Sequence, residues 1–205
     1  MAPLAGAALL LAACSHDPFV NVSNTISSGE WKIERQIDRV TGAPISSAIL
    51  VTNHVSNGLI IVPPPASMSL GCFKERPIVL IKFAFKIGST RNADMGYRFD
   101  NKPGHEPRVR IVEDYKSVVI EDQGEVARFV NEMATSDGLY MHIRALNAAR
   151  TSAEFKLAGA PAAIAAAYAL CPPTPGAQAS AAPRAAPTAV RNDKEDADDK
   201  DDTQE

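Results

Sequence analysis

Short strand-like segments, separated by turn residues, follow one another along the chain and limit its fold more than any other feature. The first, WKIERQI at residues 31–37, carries apolar side chains at alternate positions apart from Arg35, which is typical of a strand with one buried face. Comparable segments are SSAILVTN, MSLGCF, PIVLIKFAF, MGYRFD, RVRIV, KSVVIED, LYMHIRAL and SAEFKL. The sequence therefore predicts a mainly β, α+β fold with an antiparallel β-sandwich-like domain.

Two segments depart from the strand pattern and predict helices. In GEVARFVNEMATSDG, apolar residues fall at positions i, i+3, i+4 and i+7, which share one face of a helix. These residues are Val126, Phe129, Val130 and Met133. Gly138 follows where a C-terminal cap is expected. The alanine-rich segment APAAIAAAYAL has a proline near its start and predicts a short second helix.

The globular domain is expected to cover residues 29–171, because the composition changes sharply on both sides of it. Residues 172–205 are rich in proline and alanine and then acidic, and such a segment buries too little apolar surface to fold. The net charge of the chain is only -3, which indicates neither a nucleic-acid partner nor attraction to an anionic membrane. The acidic end is either a solvated extension or a binder of cations or basic partners.

The start of the chain predicts an export signal with a lipid anchor. Residues 1–13 contain LAGAALLLAA, a run as long as a signal-peptide core and too short to span a bilayer. The sequence Leu11-Ala12-Ala13-Cys14 resembles a bacterial lipobox, in which Cys14 would carry the lipid that holds the protein to a membrane. The alternatives are an ordinary signal peptide or an apolar strand, since MAPLAGAALL lacks the usual positive charge.

A lipid-anchored chain of this kind belongs on the periplasmic face of a bacterial envelope. Ser15 follows the cysteine, and a serine there favours the outer membrane under the enterobacterial sorting pattern. Residues 14–28 are polar and small, so we expect a flexible tether between anchor and domain.

Cys72 and Cys171 are the cysteines that remain for the fold. In an oxidising compartment such a pair is usually bridged, so a disulfide is the favoured interpretation. A metal site and two buried free thiols are the alternatives. The cysteines lack a CxxC arrangement and a nearby histidine pair, which disfavours the metal site.

The sequence contains no motif that indicates catalysis, a metal or a cofactor. None of the histidines has a second ligand at position i+2 to i+4, and no phosphate-binding or nucleophile-elbow glycine pattern occurs. The histidines are His16, His54, His105 and His142. We interpret His142, in its strand, as a half-exposed packing residue. The protein is therefore not expected to be an enzyme.

Charged residues on two predicted strands are the candidate partner-binding site. Arg98 and Asp100 are expected to share one face of their strand, and Arg108 and Arg110 one face of the next. Together these side chains would form a polar patch for a protein partner. The alternative is an exposed ion pair of small energetic value, with strand charges that prevent edge-to-edge aggregation.

The order of several features resembles the VasI/TagO family of envelope proteins associated with type VI secretion. The features are Trp31, Asp38, Cys72, the YRFD of residues 97–100, the AEFKL of residues 153–157 with Gly159, and Cys171. The chain departs from the family pattern at Arg35, where a serine is usual, near Tyr115, where a tryptophan is usual, and at the insertion-like GLIIVPPPASM. The resemblance implies a small β-rich periplasmic domain and an accessory role in secretion.

Two functional hypotheses follow. The first is a non-catalytic binding or scaffolding accessory whose partners are envelope proteins, such as those of a secretion apparatus. The alternative is a membrane-tethered carrier of a small-molecule or cell-wall ligand, which an apolar cavity between the sheet and the 125–135 helix would favour.

Overall fold

The computed structural model describes residues 20–88, 93–112, 115–145 and 149–174. Within these ranges the chain forms eleven strands and two helices, so the prediction of a mainly β, α+β fold is confirmed. The elements are β1 (Val20–Ser28), β2 (Trp31–Asp38), β3 (Pro44–Thr52), β4 (Val55–Asn57), β5 (Ala66–Phe73), β6 (Arg76–Phe83), β7 (Ala93–Phe99), β8 (Arg110–Val112), β9 (Ser117–Ile120), α1 (Gln123–Met133), β10 (Gly138–Ala145), β11 (Thr151–Lys156) and α2 (Ala160–Ala167).

The strands form two antiparallel sheets. Seven strands lie in the order β1-β2-β3-β5-β6-β9-β8, and four lie in the order β4-β11-β10-β7. The β5–β6 hairpin turns through Lys74 and Glu75, both of which have positive φ. Two central residues with positive φ suit the right-handed twist of the strands they join. Cys72 is therefore near this turn, as the sequence indicated.

The core lies between the two sheets, and both helices contribute to it. Strands β2, β5, β6, β10 and β11 send alternate side chains inward, and the sheets share one continuous apolar cluster. Trp31 of β2, Met68 of β5 and Phe155 of β11 are almost fully buried in it. The predicted apolar face of α1, including Phe129, is also buried there.

The ends of α1 differ in part from the expectation. Asp122 caps its start, because the Asp122 carboxylate accepts hydrogen bonds from the backbone N–H groups of Gly124 and Glu125 at 3.0 and 3.1 Å. The helix ends at Met133. Gly138 is therefore not its cap but the first residue of β10.

The folded region begins earlier than the tether predicted for residues 14–28 implies. Residues Val20–Ser28 form β1, which pairs with β2 along its length. β1 is an edge strand that is held by backbone hydrogen bonds to β2. Such pairing does not require buried side chains, and the asparagine, serine and threonine residues of β1 therefore show no alternating hydrophobic pattern that would predict a strand. Residues 1–19, which include the predicted signal peptide and Cys14, and residues 175–205 lie outside the described part.

Two glycines allow the β1–β2 turn to cross the segment before α2 at close range. Gly29 and Gly159 both have positive φ, 57° and 90°. A Cβ on Gly29 would collide with the carbonyl oxygen of Ala158, and one on Gly159 with that of Ser28. Only glycine permits backbones to approach this closely.

A disulfide joins Cys72 to Cys171, as predicted, and secures the chain after α2 to the seven-stranded sheet. Two hydrogen bonds reinforce the attachment. The Ser46 hydroxyl donates to the carbonyl of Ala166 at 2.7 Å, and the buried Tyr168 hydroxyl donates to the carbonyl of Ile78 at 2.8 Å. All of these contacts lie near the end of the sheet at which β3 begins.

The opposite end of β3 adjoins the four-stranded sheet. The Thr52 hydroxyl donates to the backbone carbonyl of Glu154 at 2.6 Å, and the Glu154 N–H donates to the carbonyl of His54 at 3.0 Å. These two hydrogen bonds hold β11, and with it the four-stranded sheet, beside the end of β3.

Candidate binding cleft

An open cleft of about 760 Å³ lies on the outer face of the four-stranded sheet. Outward-facing residues of β7, β10 and β11 form its floor, and residues 104–106 contribute to its wall. Along these strands, apolar side chains point into the core, and the side chains between them, which are mostly polar, point into the cleft. Its main polar and aromatic residues are Arg98, Glu106, Tyr140, His142, Arg150 and Glu154.

Gly96 creates the space for the imidazole of His142. The two residues are directly opposite each other on β7 and β10. A Cβ on Gly96 would lie 2.6 Å from Cε1 and 3.0 Å from Nε2 of His142. The ring therefore covers the glycine and lies low on the sheet, which keeps the floor of the cleft open.

Two arginines face the cleft without a carboxylate partner. The Arg98 guanidinium lies 5.7 Å from the centroid of the Tyr140 ring, within the range of a cation–π interaction. In the described part of the chain, neither Arg98 nor Arg150 forms an ion pair. Their N–H donors are therefore available to a bound anionic group.

The electrostatic surroundings of His142 agree with a positive local potential. Burial lowers the pKa of His142 below its ordinary value of 6.5, and the nearby charges of Arg150 and Arg144 lower it further. Glu106 acts in the opposite direction but does not reverse the shift. His142 is therefore neutral at pH 7 and can donate one hydrogen bond and accept another.

The wall at residues 104–106 is held to α1 and to β7. The backbone N–H and carbonyl of His105 both bond to Tyr97, at 2.8 and 2.9 Å. The His105 ring lies 2.7 Å from the Glu132 carboxylate. Lys102 donates to the Glu132 carbonyl at 3.0 Å and to the Thr135 hydroxyl at 2.7 Å. The cleft therefore has a wall fixed at several points.

Behind this wall is a half-buried polar cluster. Arg128 donates to Glu125 at 3.0 Å and lies 3.3 Å from His105 Nδ1. The hydroxyl of Tyr97 and one carboxylate oxygen each of Glu125 and Glu132 are buried without a protein hydrogen-bond partner among the described residues. Burial, with the negative charges of these two glutamates, raises the pKa of Tyr97. The tyrosine therefore stays protonated.

The structure places Arg98 and Asp100 in different environments. Arg98 lies on β7 in the cleft, whereas Asp100 follows the end of the strand with a φ of 44°. Its carboxylate accepts hydrogen bonds from the N–H groups of Asp137 and Gly138 at 3.1 and 2.8 Å. Although burial opposes the shift, these bonds lower the pKa of Asp100. The expected shared strand face is therefore absent, and Asp100 organises the chain before β10.

Arg108 and Arg110 are not joined to Arg98 in one basic strip. Arg108 is exposed but precedes β8, which contains only Arg110–Val112. Arg110 belongs to the seven-stranded sheet and makes two hydrogen bonds to the Glu121 carboxylate, at 3.1 and 2.8 Å. This pairing lowers the pKa of Glu121. Of the four predicted residues, Arg98 alone lines the cleft.

Sequence reasoning missed most of the cleft. His142 does pack against its neighbour, as interpreted, but it also lines the cleft with Tyr140 and Arg150. The one available signal was the glycine in MGYRFD, because a glycine inside a strand often accommodates a close neighbour. Its partner could not be identified without the pairing of β7 with β10.

The described residues contain no helix long and apolar enough to cross a membrane. In the same ranges, no three His, Cys, Asp or Glu side chains are grouped so that they could hold a metal ion. Comparisons with protein-family models, with curated proteins and with solved structures gave no match.

Proposed function

We propose that this chain is a lipid-anchored protein of the bacterial cell envelope that binds a partner or ligand without transforming it. The proposed attachment point is Cys14, and the proposed location is the periplasmic face, at the outer membrane. The Cys72–Cys171 disulfide supports an exported protein, because such bonds persist in oxidising compartments. The lipobox-like LAAC supports the anchor.

The observation that carries the binding role is the cleft on the four-stranded sheet. It combines two arginines that lack ion pairs with an exposed aromatic ring, and its wall is held by α1. Arginine and tyrosine are frequent at protein-binding surfaces, where they supply both hydrogen bonds and apolar contact. We propose envelope proteins as partners, and type VI secretion components in particular because of the sequence resemblance.

The test is partner capture with matched variants. The full chain would be cross-linked in native envelopes, purified in detergent, and its bound proteins quantified by mass spectrometry. Arg98→Ala and Arg150→Ala should lose the specific partners. Arg76→Ala is the control, since this exposed arginine lies on β6, outside the cleft. If all variants captured the same envelope proteins in equal amounts, the cleft would not be the binding site for these partners. Normal secretion after a clean deletion would refute the secretion role.

The cleft also favours a second candidate, the tethered carrier of a small polar or cell-wall ligand. Its volume of about 760 Å³ lies within the usual range of small-molecule sites, about 300–1,000 Å³. The site anticipated for an apolar ligand is occupied instead, because the inner face of α1 packs into the core through Val126, Phe129 and Met133. Native mass spectrometry of the purified chain should then reveal a bound small molecule, and an empty chain would count against the carrier.

A further inference from the structure

We propose that the outer face of the seven-stranded sheet binds a second copy of this chain, so that the two copies pack sheet against sheet. This outer face is formed by side chains of β3, β5 and β6 that point away from the core. Its central residues are Ile49, Val51, Ser67, Ser69, Gly71 and Leu80. The cleft lies on the four-stranded sheet, so the outer face is separate from the proposed partner-binding site.

The strand registers assign these side chains to one face. Ile49 of β3 is directly opposite Ser69 of β5, which is in turn opposite Leu80 of β6. Leu50 and Leu70, which follow Ile49 and Ser69 in the sequence, are fully buried in the core. Because successive side chains of a strand alternate, Ile49, Ser69 and Leu80 point to the opposite side. In the described part of the chain, both helices and the four-stranded sheet pack on the core side.

The centre of the outer face is uncharged and its margins are charged. The outward-facing side chains of β3 and β5 include no charged group, and Val51 is 56% exposed. Charged residues lie on the neighbouring strands, as the Lys32–Glu34 pair on β2, the Arg110–Glu121 pair on the far side, and Arg76 and Lys82 toward the ends of β6. An uncharged centre within a polar rim is the usual arrangement of a protein–protein interface.

The shape of the outer face is complementary to itself. Ser67, Ser69 and Gly71 leave a trough along β5, and the larger Ile49 and Val51 form a ridge along β3, about 4.8 Å away. A two-fold axis parallel to the strands and between β3 and β5 places the ridge of each copy over the trough of the other. Ile49 then lies over the second copy's Ser69, and the contact is reciprocal, as two-fold symmetry requires. Two sheets packed in this way keep their strands nearly aligned.

The outer face is large enough for a specific dimer. Strands β2, β3, β5 and β6 have eight or nine residues each. At about 4.8 Å between strands and about 3.4 Å per residue, they cover about 19 by 27 Å, or about 500 Å² in each copy. The total of about 1,000 Å² is the least that a specific interface buries, so we expect a dimer of micromolar rather than nanomolar affinity.

The direction of the two-fold axis also favours a second copy. Because the axis runs along the strands, the start of β1 and the Cys72–Cys171 bond lie at the same end of both copies. With the proposed lipid on Cys14, both copies would be anchored in one bilayer, and this step alone rests on the proposed function. A two-fold pairing of the β1 edges would instead be antiparallel and would place the two anchors at opposite ends. In the sheet-to-sheet dimer, both clefts remain on the outside.

The experiment is native mass spectrometry of the full chain in detergent, from about 1 to 100 μM, which brackets the expected affinity. Ser69→Lys places an ammonium group under the second copy's Ile49 and should raise the dimer Kd by about 10-fold or more, because burying an unpaired charge is costly. Ser69→Ala should keep the dimer. Ser56→Lys is the matched control, since Ser56 is an exposed strand residue of the other sheet, outside the cleft.

A second variant covers the case in which Ser69→Lys does not fold. Val51→Lys changes an exposed side chain on the same ridge, so the fold should tolerate it while the dimer weakens. The inference would be overturned by a chain that stays monomeric over the whole concentration range. A dimer that both lysine variants leave intact, or that Ser56→Lys weakens equally, would place the contact elsewhere and overturn it as well.

Failure of the dimer and failure of the proposed function are distinguishable. Arg98→Ala should lose envelope partners but keep the dimer, because Arg98 lies in the cleft. A monomer that still captures envelope proteins through the cleft would refute the dimer alone. A dimer that captures none would refute the scaffolding role alone.

Discussion

Replacement of Gly96 by alanine should change the cleft while leaving the fold almost untouched. The new Cβ would lie 2.6 Å from Cε1 of His142, whereas ordinary contact begins near 3.4 Å, so the ring has to move by about 0.8 Å. The obstacle is a side chain on the open face of the sheet rather than a backbone atom. The ring can therefore rotate outward into the cleft.

In Gly96→Ala, the cost of displacing the His142 ring and the gain from replacing a strand glycine are of similar size. A side chain displaced by about 30° from its preferred rotamer costs about 0.5–1.5 kcal/mol. Replacing a glycine inside a strand by alanine recovers about 0.5–1 kcal/mol. We expect the free energy of unfolding of Gly96→Ala to remain within about 1 kcal/mol of the wild-type value. The pKa of His142 should rise toward 6.5, because burial is the largest cause of its depression.

The assay is a histidine titration by NMR, combined with urea denaturation. Gly104→Ala is the matched control, since its nearest Cβ contact would be the carbonyl oxygen of Tyr97 at 3.7 Å. The control should leave the His142 pKa unchanged. An unchanged pKa in Gly96→Ala, or an equal rise in Gly104→Ala, would refute the proposed packing. A loss of several kcal/mol would show that the ring cannot move.

Further predictions concern stability. The Cys72→Ser/Cys171→Ser variant should lose about 2–4 kcal/mol in urea denaturation, because the bond closes a loop with a sequence separation of 99; an unchanged midpoint would contradict this. Tyr168→Phe should lose about 1–2 kcal/mol by removing the donor to a β6 carbonyl, and an equal midpoint would mean that this bond adds nothing. The folded state lowers the pKa of His142 below 6.5, so the unfolded chain takes up a proton on this histidine at a higher pH than the folded chain does. The free energy of unfolding should therefore fall as the pH drops from 6.5 through the folded pKa of His142. His142→Asn should show a smaller fall over the same pH range. Asp100→Asn should weaken the attachment of the chain before β10, seen as faster amide exchange at Gly138; unaltered exchange would argue against it.

The strands were predictable wherever burial imposed an alternating pattern. In β2, Trp31 and Ile33 enter the core while Lys32 faces solvent, and the sequence shows this directly. β1 was not predicted, because it is held by backbone hydrogen bonds to β2 and its polar side chains show no alternating apolar pattern. The three-residue β4 was missed because so short a strand gives no period. The order of the strands in each sheet depends on contacts between distant segments, which a single sequence does not specify.

The disulfide was the most predictable part of the molecule, because the predicted export of the chain left Cys72 and Cys171 with few alternatives to a bond. The cleft was the least predictable. Arg98 stood out as a charged residue in an apolar strand, but other residues that line the cleft, such as Tyr140 and Arg150, come from segments more than 40 residues away. The misplacement of Asp100 has a local cause, since its φ is positive, a conformation that aspartate adopts more often than most non-glycine residues, and its carboxylate bonds to residues 137 and 138.

The attachment of α2 has a consequence for orientation. β1 begins at Val20 opposite Asp38, and the disulfide holds Cys171 near the same end of the seven-stranded sheet. The cleft adjoins the other end of β3, which at nine residues is about 30 Å long. Five residues separate Cys14 from Val20 and reach at most about 20 Å when extended. With a lipid on Cys14, as proposed, the start of β1 and Cys171 would lie toward the bilayer, and the cleft would point away from it.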